Sequence, residues 1–158
     1  MIIKKLAELS TFLMISFSLV AQDSQPNFIV IMADDLGYGD LGVYGSTLIK
    51  TPNLDQMAAQ GVHLTSFYSS ANVCTAARGG LLTGRYPIRL NLVSDVARPT
   101  NDIHLPESEI TLAETLKSAG YATAIFGKWH LGSREEWSPL NHGFDDFYGV
   151  FHLSLIHI

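Results

Sequence analysis

Six side chains stand out by type and place: Asp34, Asp35, Cys74, Arg78, Lys128 and His130. Asp34 and Asp35 are adjacent carboxylates directly after the apolar run Asn27 to Ala33. In a partly desolvated place their mutual repulsion is relieved best by a cation, although one acidic residue at a strand terminus commonly means nothing more than the end of the strand. Cys74 is the sole cysteine, which excludes an intrachain disulfide and a Cys-rich zinc site. It is either a small buried hydrophobe or a group kept for its chemistry. Arg78, four residues on, shares a helical face with Cys74 and presents a fixed positive charge to it. Lys128 and His130 flank Trp129. They read either as an exposed turn around a buried anchor or as a cation and an imidazole placed where an anion binds and a proton moves.

The elements that must position these groups alternate between strand and helix. Asn27 to Ala33 reads as a strand buried on both faces, so the two carboxylates lie at its C-terminal end. A Gly-rich loop follows, and Thr51-Pro52 opens a helix that Gly61 closes. Val62 to Tyr68 is expected to form a second strand. Ala76 to Leu82 reads as a short helix ended by Gly84, with Cys74 at or just before its N-terminus, where unpaired N–H groups favour negative charge. Val93 to Pro106 reads as a loop. Thr111-Leu112-Ala113-Glu114 is a capping box for a helix stopped at Gly120, and Tyr121 to Phe126 is expected to be the strand that delivers Lys128 and His130. Polar groups at the C-terminal ends of apolar strands are where open α/β sheets place ligands.

Composition narrows the class. The 158 residues are 47% hydrophobic and 16% charged, enough apolar material for a core and too little polarity for a disordered chain. A formal charge of -5 without any basic run argues against nucleic acid as a partner. Residues 1–21 read as a signal peptide, with Lys4 and Lys5 before the apolar stretch Thr11 to Val20 and a small residue, Ala21, at its end. That stretch is half of the roughly 20 residues a spanning helix needs, so the expectation is export, periplasmic or secreted, with no stable membrane anchor.

Cys74-Thr75-Ala76-Ala77-Arg78-Gly79-Gly80-Leu81-Leu82-Thr83-Gly84-Arg85 closely resembles the sulfatase signature, C-x-P/A-S/A-R-x-x-x-L-T-G-R. Ala33 to Asp40 and Phe126 to Gly132 resemble the other N-terminal motifs of that family, in the family's order. Ala76 and Ala77 stand where the commonest form has Pro and Ser, and the missing Ser hydroxyl bears on which maturation system acts. The resemblance implies the alkaline-phosphatase-like fold of that family: α/β, with a mixed, largely parallel central sheet flanked by helices, here truncated. Residues 22–152 would be the N-terminal portion of the catalytic domain. The last six residues, Leu153 to Ile158, do not read like the family and are expected to be a non-native tail.

The resemblance further implies that Cys74 is oxidised to Cα-formylglycine by a formylglycine-generating or sulfatase-maturing enzyme. One hydroxyl of the hydrated aldehyde would attack sulfur, and the other would expel sulfate by re-forming the carbonyl. Asp34 and Asp35, with the modified Cys74, would hold Ca2+. Arg78 would orient the diol, Lys128 would bridge it to the sulfate, and His130 would assist its collapse. The substrate class is a sulfate monoester, of a small molecule or a glycan. The family's downstream metal ligands, leaving-group His and sulfate-binding Lys have no match in this chain. His142 belongs to a stretch that reads as structural. A phosphatase or phosphonate monoester hydrolase of the same superfamily, and an inactive fragment, are the alternatives.

Overall fold

Three capped helices organise the part of the chain that carries the site. The computed structural model describes residues 25–152, and the expected signal peptide and C-terminal tail lie outside them. The chain divides into two units, Met1–Leu36 and Gly37–Ile158.

In the second unit, helix α1 spans Pro52–Gln60, with Pro52 in its first turn and Gly61 as its C-cap. Proline is tolerated there because its missing N–H has no helical partner to lose. Thr51 does not cap through its own side chain. Its hydroxyl instead donates to Asp55 Oδ1 at 3.0 Å and accepts the Gly42 N–H at 2.8 Å, tying the helix start to the turn before it. Helix α2 spans Cys74–Thr83, so Cys74 is its first residue, and it ends at Gly84 with φ 66. A left-handed C-cap of this kind carries little cost only for a residue without a Cβ. Helix α3 spans Leu112–Ser118 behind the expected capping box.

The Thr111 hydroxyl also donates to the carbonyl of His142 at 2.8 Å, in the interior. Thr111→Val therefore removes a helix cap and leaves a buried acceptor unpaired, and an equilibrium urea titration is expected to register a loss of about 1–3 kcal/mol. A titration unchanged from the parent would show that the cap is not coupled to the core.

Strand β1 spans Ala124–Lys128 and strand β2 spans Asp146–Val150. They pair in parallel, with Ala124 opposite Asp146 and Lys128 opposite Val150. The connection between them holds only short 3-10 turns, at Glu135–Trp137 and Pro139–His142. Beyond the paired residues, the N–H groups of Trp129 and His130 donate to the carbonyls of Val150 and Phe151. The core gathers behind this end of the pair: Ala76 from α2, then Leu90, Leu92, Leu105, Trp129 and Leu131. Trp129 is 1% exposed, and its indole N–H donates to the Trp137 carbonyl at 2.8 Å, so the ring is anchored at its apolar body and at its polar edge.

Two expected strands are corrected. Residues 27–33 form no strand, and Ile29 and Ile31 are 85% and 77% exposed. Residues 62–68 form none either, with a turn at 65–66. In both runs the apolar composition signals a fitness for burial, but a strand also needs a hydrogen-bonded neighbour. Among the described residues β1 and β2 pair only with each other. The third expected strand exists but is displaced from 121–126 to 124–128, where its partner lies.

Asp145 fixes the entry to β2. The Lys117 ammonium, 2.6 Å away, and the backbone and hydroxyl donors of Thr123 hold its carboxyl down at about 2. A carboxyl depressed on folding stabilises the fold above its ordinary value of 3.8, and that contribution is lost as pH falls through about 2. Stability is thus expected to fall across that window. Asp145→Asn should flatten part of the dependence, as read by denaturation midpoints at a series of pH values.

Candidate active site

Cys74 opens α2, with Val73 in extended conformation as an N-cap that offers no side-chain bond. The first N–H groups of the helix therefore face the place where the Cys74 side chain emerges, which favours an anion there. Cys74 is half-buried. The Lys128 ammonium donates to Cys74 Sγ at 3.4 Å. Arg78, one turn along α2, donates from its guanidinium to the backbone carbonyl of Lys128 at 2.6 Å. The bond docks α2 against the end of β1 and fixes the guanidinium at the backbone of the residue whose ammonium reaches Cys74.

The backbone before and after Lys128 is bent to suit. Gly127 has φ 107 and His130 has φ 56, so a left-handed residue lies on each side of the Lys128-Trp129 step. His130 is 7% exposed, and its Nε2 is 2.9 Å from the carbonyl oxygen of Ala97. Thr75, fully buried, donates its hydroxyl proton to the carbonyl of His130 at 2.8 Å and accepts the Ala97 N–H at 2.9 Å. Such φ values in residues other than glycine persist where the surroundings fix them, and the buried hydrogen bonds around His130 do so.

Of the six residues expected from the sequence, four lie in the second unit: Cys74, Lys128 and Arg78 are linked in series, and His130 joins them through its backbone carbonyl, held by Thr75 beside Cys74. Asp34 and Asp35 lie in the first unit. Both are exposed, contrary to the expected partial desolvation, and Asp35 has φ 58. Among the described residues no strand forms around 27–33 that could bury them. Among the described residues no three of His, Cys, Asp and Glu gather closely enough to hold a metal ion.

His142 is almost wholly buried and packs its ring against Trp129, with centroids 5.6 Å apart. Burial lowers its pKa below the ordinary 6.5, while Glu114 and Glu107 act in the opposite direction. Its place in the core agrees with a structural part. Thr75 and Ala97 were not legible as site residues. Thr75 carried one signal, a hydroxyl beside the sole cysteine, whereas Ala97 acts through its backbone alone.

A family model described as Sulfatase matches residues 26–155. The chain belongs to the sulfatase family. Among curated relatives, this sulfatase sequence is 50% identical over 133 residues to arylsulfatase A of Bos taurus, an alignment that covers 83% of this chain and 26% of that one. It is 47% identical over 131 residues to N-acetylgalactosamine-6-sulfatase of Homo sapiens, covering 78% of this chain and 25% of the relative. Among solved structures, the PsFucS1 sulfatase from Pseudoalteromonas sp. superposes with a TM-score of 0.70 at 41% identity, over 78% of this chain and 25% of the other. The chain thus spans about a quarter of the length of the relatives it matches. Its α/β architecture, a parallel strand pair with helices, is a piece of the sulfatase fold. No helix among the described residues is long and apolar enough to cross a membrane.

Proposed function

We propose that this chain is the N-terminal portion of an exported sulfuric ester hydrolase that cleaves a sulfate monoester, with glycan sulfates as the substrate class. The observation that carries the reading is the Lys128 ammonium 3.4 Å from Cys74 Sγ at a helix N-terminus, with Arg78 fastened to the carbonyl of the same lysine. An ammonium and a set of helix N–H groups at one side chain, with a guanidinium fixed to the backbone of the same lysine, suit an anionic sulfuryl group in transfer. N-acetylgalactosamine-6-sulfatase among the relatives supports a sulfated sugar as substrate.

The group expected at position 74 is Cα-formylglycine, made by a maturing enzyme, and the expected metal is calcium. When present, the hydrated aldehyde supplies the attacking hydroxyl and the metal supplies neutralising charge. The donor chemistry fits: Asp34 and Asp35 offer the hard carboxylate oxygens that calcium takes. Within this chain, Lys128 binds and orients the anion, Arg78 keeps Lys128 in place while adding positive field, and His130 moves a proton beside the helix start.

Mass spectrometry of the peptide carrying position 74, after export in a bacterium with the maturation machinery, tests this reading. An aldehyde supports it, and unmodified thiol throughout refutes it. Assays with calcium on an aryl sulfate and an aryl phosphate separate sulfatase from phosphatase. Equal activity from the 158-residue chain and a length-extended version would overturn the claim that the site is incomplete.

A further inference from the structure

We propose that Nδ1 is the atom of His130 that gains and loses a proton, and that Thr75 is the positioning residue that makes it so. The kinetic part of this inference rests on the reading of His130 as the proton-moving group of a sulfatase; the tautomer does not.

Three hydrogen bonds close a ring among Thr75, Ala97 and His130. The Thr75 hydroxyl donates to the His130 carbonyl at 2.8 Å, the Ala97 N–H donates to Thr75 Oγ1 at 2.9 Å, and His130 Nε2 meets the Ala97 carbonyl at 2.9 Å. Every direction in the ring is forced. A backbone N–H can only donate and a carbonyl can only accept, so the single hydroxyl proton of Thr75 must point to His130 and its lone pair must face Ala97. By the same rule Nε2 must carry a proton to reach the Ala97 carbonyl, in the neutral ring as well as in the cation. Only Nδ1 is left to titrate.

The ring resists rearrangement because it is buried. Thr75 and Ala97 are fully buried and His130 nearly so, and water does not stand in for a lost partner in such a place. The ring also spans the site. Thr75 follows Cys74 on α2, and His130 lies two residues after Lys128, so the element that carries the reactive position is bonded to the backbone of the group that moves the proton. The Thr75 bond further holds the carbonyl of a residue at φ 56, which sets the direction in which the imidazole leaves the chain.

The test uses the full-length, matured enzyme. Histidine 15N spectra, with His130→Gln to assign the resonance, are expected to show the Nε2–H form above the pKa of the ring; the Nδ1–H form would overturn the inference. Thr75→Val keeps the shape and removes both hydroxyl bonds. It is expected to lower kcat by about 10- to 100-fold with KM within about threefold, and to shift the limb of the pH–rate profile that reports His130. Thr75→Ser restores the ring and is expected to retain kcat within about threefold. Rates are normalised to the aldehyde content at position 74, so that a failure of maturation is not counted as a failure of positioning. Equal, aldehyde-normalised kcat and identical pH profiles in Val and Ser variants would refute the role of Thr75. If the Val variant does not fold, Thr75→Ala takes its place against Thr75→Ser: a fall in kcat that Ser does not show supports the positioning role, and equal kcat with identical pH profiles refutes it. Absence of aldehyde and of aryl-sulfatase activity in the parent enzyme would sink the functional reading while leaving the tautomer standing.

Discussion

Lys128→Met in the full-length enzyme is expected to lower kcat on an aryl sulfate by about 10²–10³-fold, the usual consequence of deleting one preorganised donor to developing charge. The prediction is specific because of how the lysine is held. Its ammonium lies 3.4 Å from Cys74 Sγ, while its backbone carbonyl takes the Arg78 guanidinium. Methionine preserves the stem and the backbone bond, so Arg78 and α2 should stay docked and only the charge is lost. Melting temperature should change little while kcat collapses. Lys128→Arg should recover only part of the rate, since a planar guanidinium cannot occupy the position of a compact ammonium. Lys117, paired with Asp145 at the surface, is the control, and Lys117→Met should leave kcat within about threefold. A Lys128→Met enzyme with parental kcat would remove the main support for the anion site.

The second large effect is on folding. Gly149 lies opposite Gly127 in the strand register, and a Cβ on Gly149 would fall on the Gly127 carbonyl oxygen, with the Gly127 carbonyl carbon and nitrogen at 2.7 and 2.9 Å. All three are backbone atoms in a paired strand, so nothing can swing aside. Gly149→Ala must push the strands apart, and β1 carries Lys128 at its last position. A loss of about 3 kcal/mol or more is expected, at or beyond the upper range for overpacking, together with loss of soluble folded protein. At Gly39, where an added Cβ meets nothing within 4 Å, the same change should stay within about 0.5 kcal/mol. Similar urea midpoints for the two variants would show that the strand pair does not hold the fold.

Much of this arrangement was written locally. Pro52, the Thr111–Glu114 box and Gly84 announce helix ends through one or two residues with a local physical reason, and the helices lie where those signals put them. The spacing of Cys74 and Arg78 was equally readable, because one helical turn decides it. Strands were less legible. The runs 27–33 and 62–68 are as apolar as a buried strand, yet form none, while β2, with Asp146 and Gly149 among its five residues, does not look like one. Pairing is decided by a distant partner and leaves no mark in the strand's own sequence. For the same reason Ala97 was invisible: its contribution is a carbonyl and an N–H that every residue type except proline possesses.

The parallel pair also bears on the order of assembly. Residues 124 and 146 close a loop much shorter than that spanned by the bond from Thr75 to His130, which joins positions 55 apart. Both closures cost entropy that grows slowly with length, but the longer one also needs a finished surface to dock on. The long closure from Thr75 to His130 is therefore expected to follow the crossover from β1 to β2, an order that φ-values at β1 and α2 would test. On that order the bond between Thr75 and the His130 carbonyl forms late, and its rate of appearance should follow any mutation that slows strand pairing.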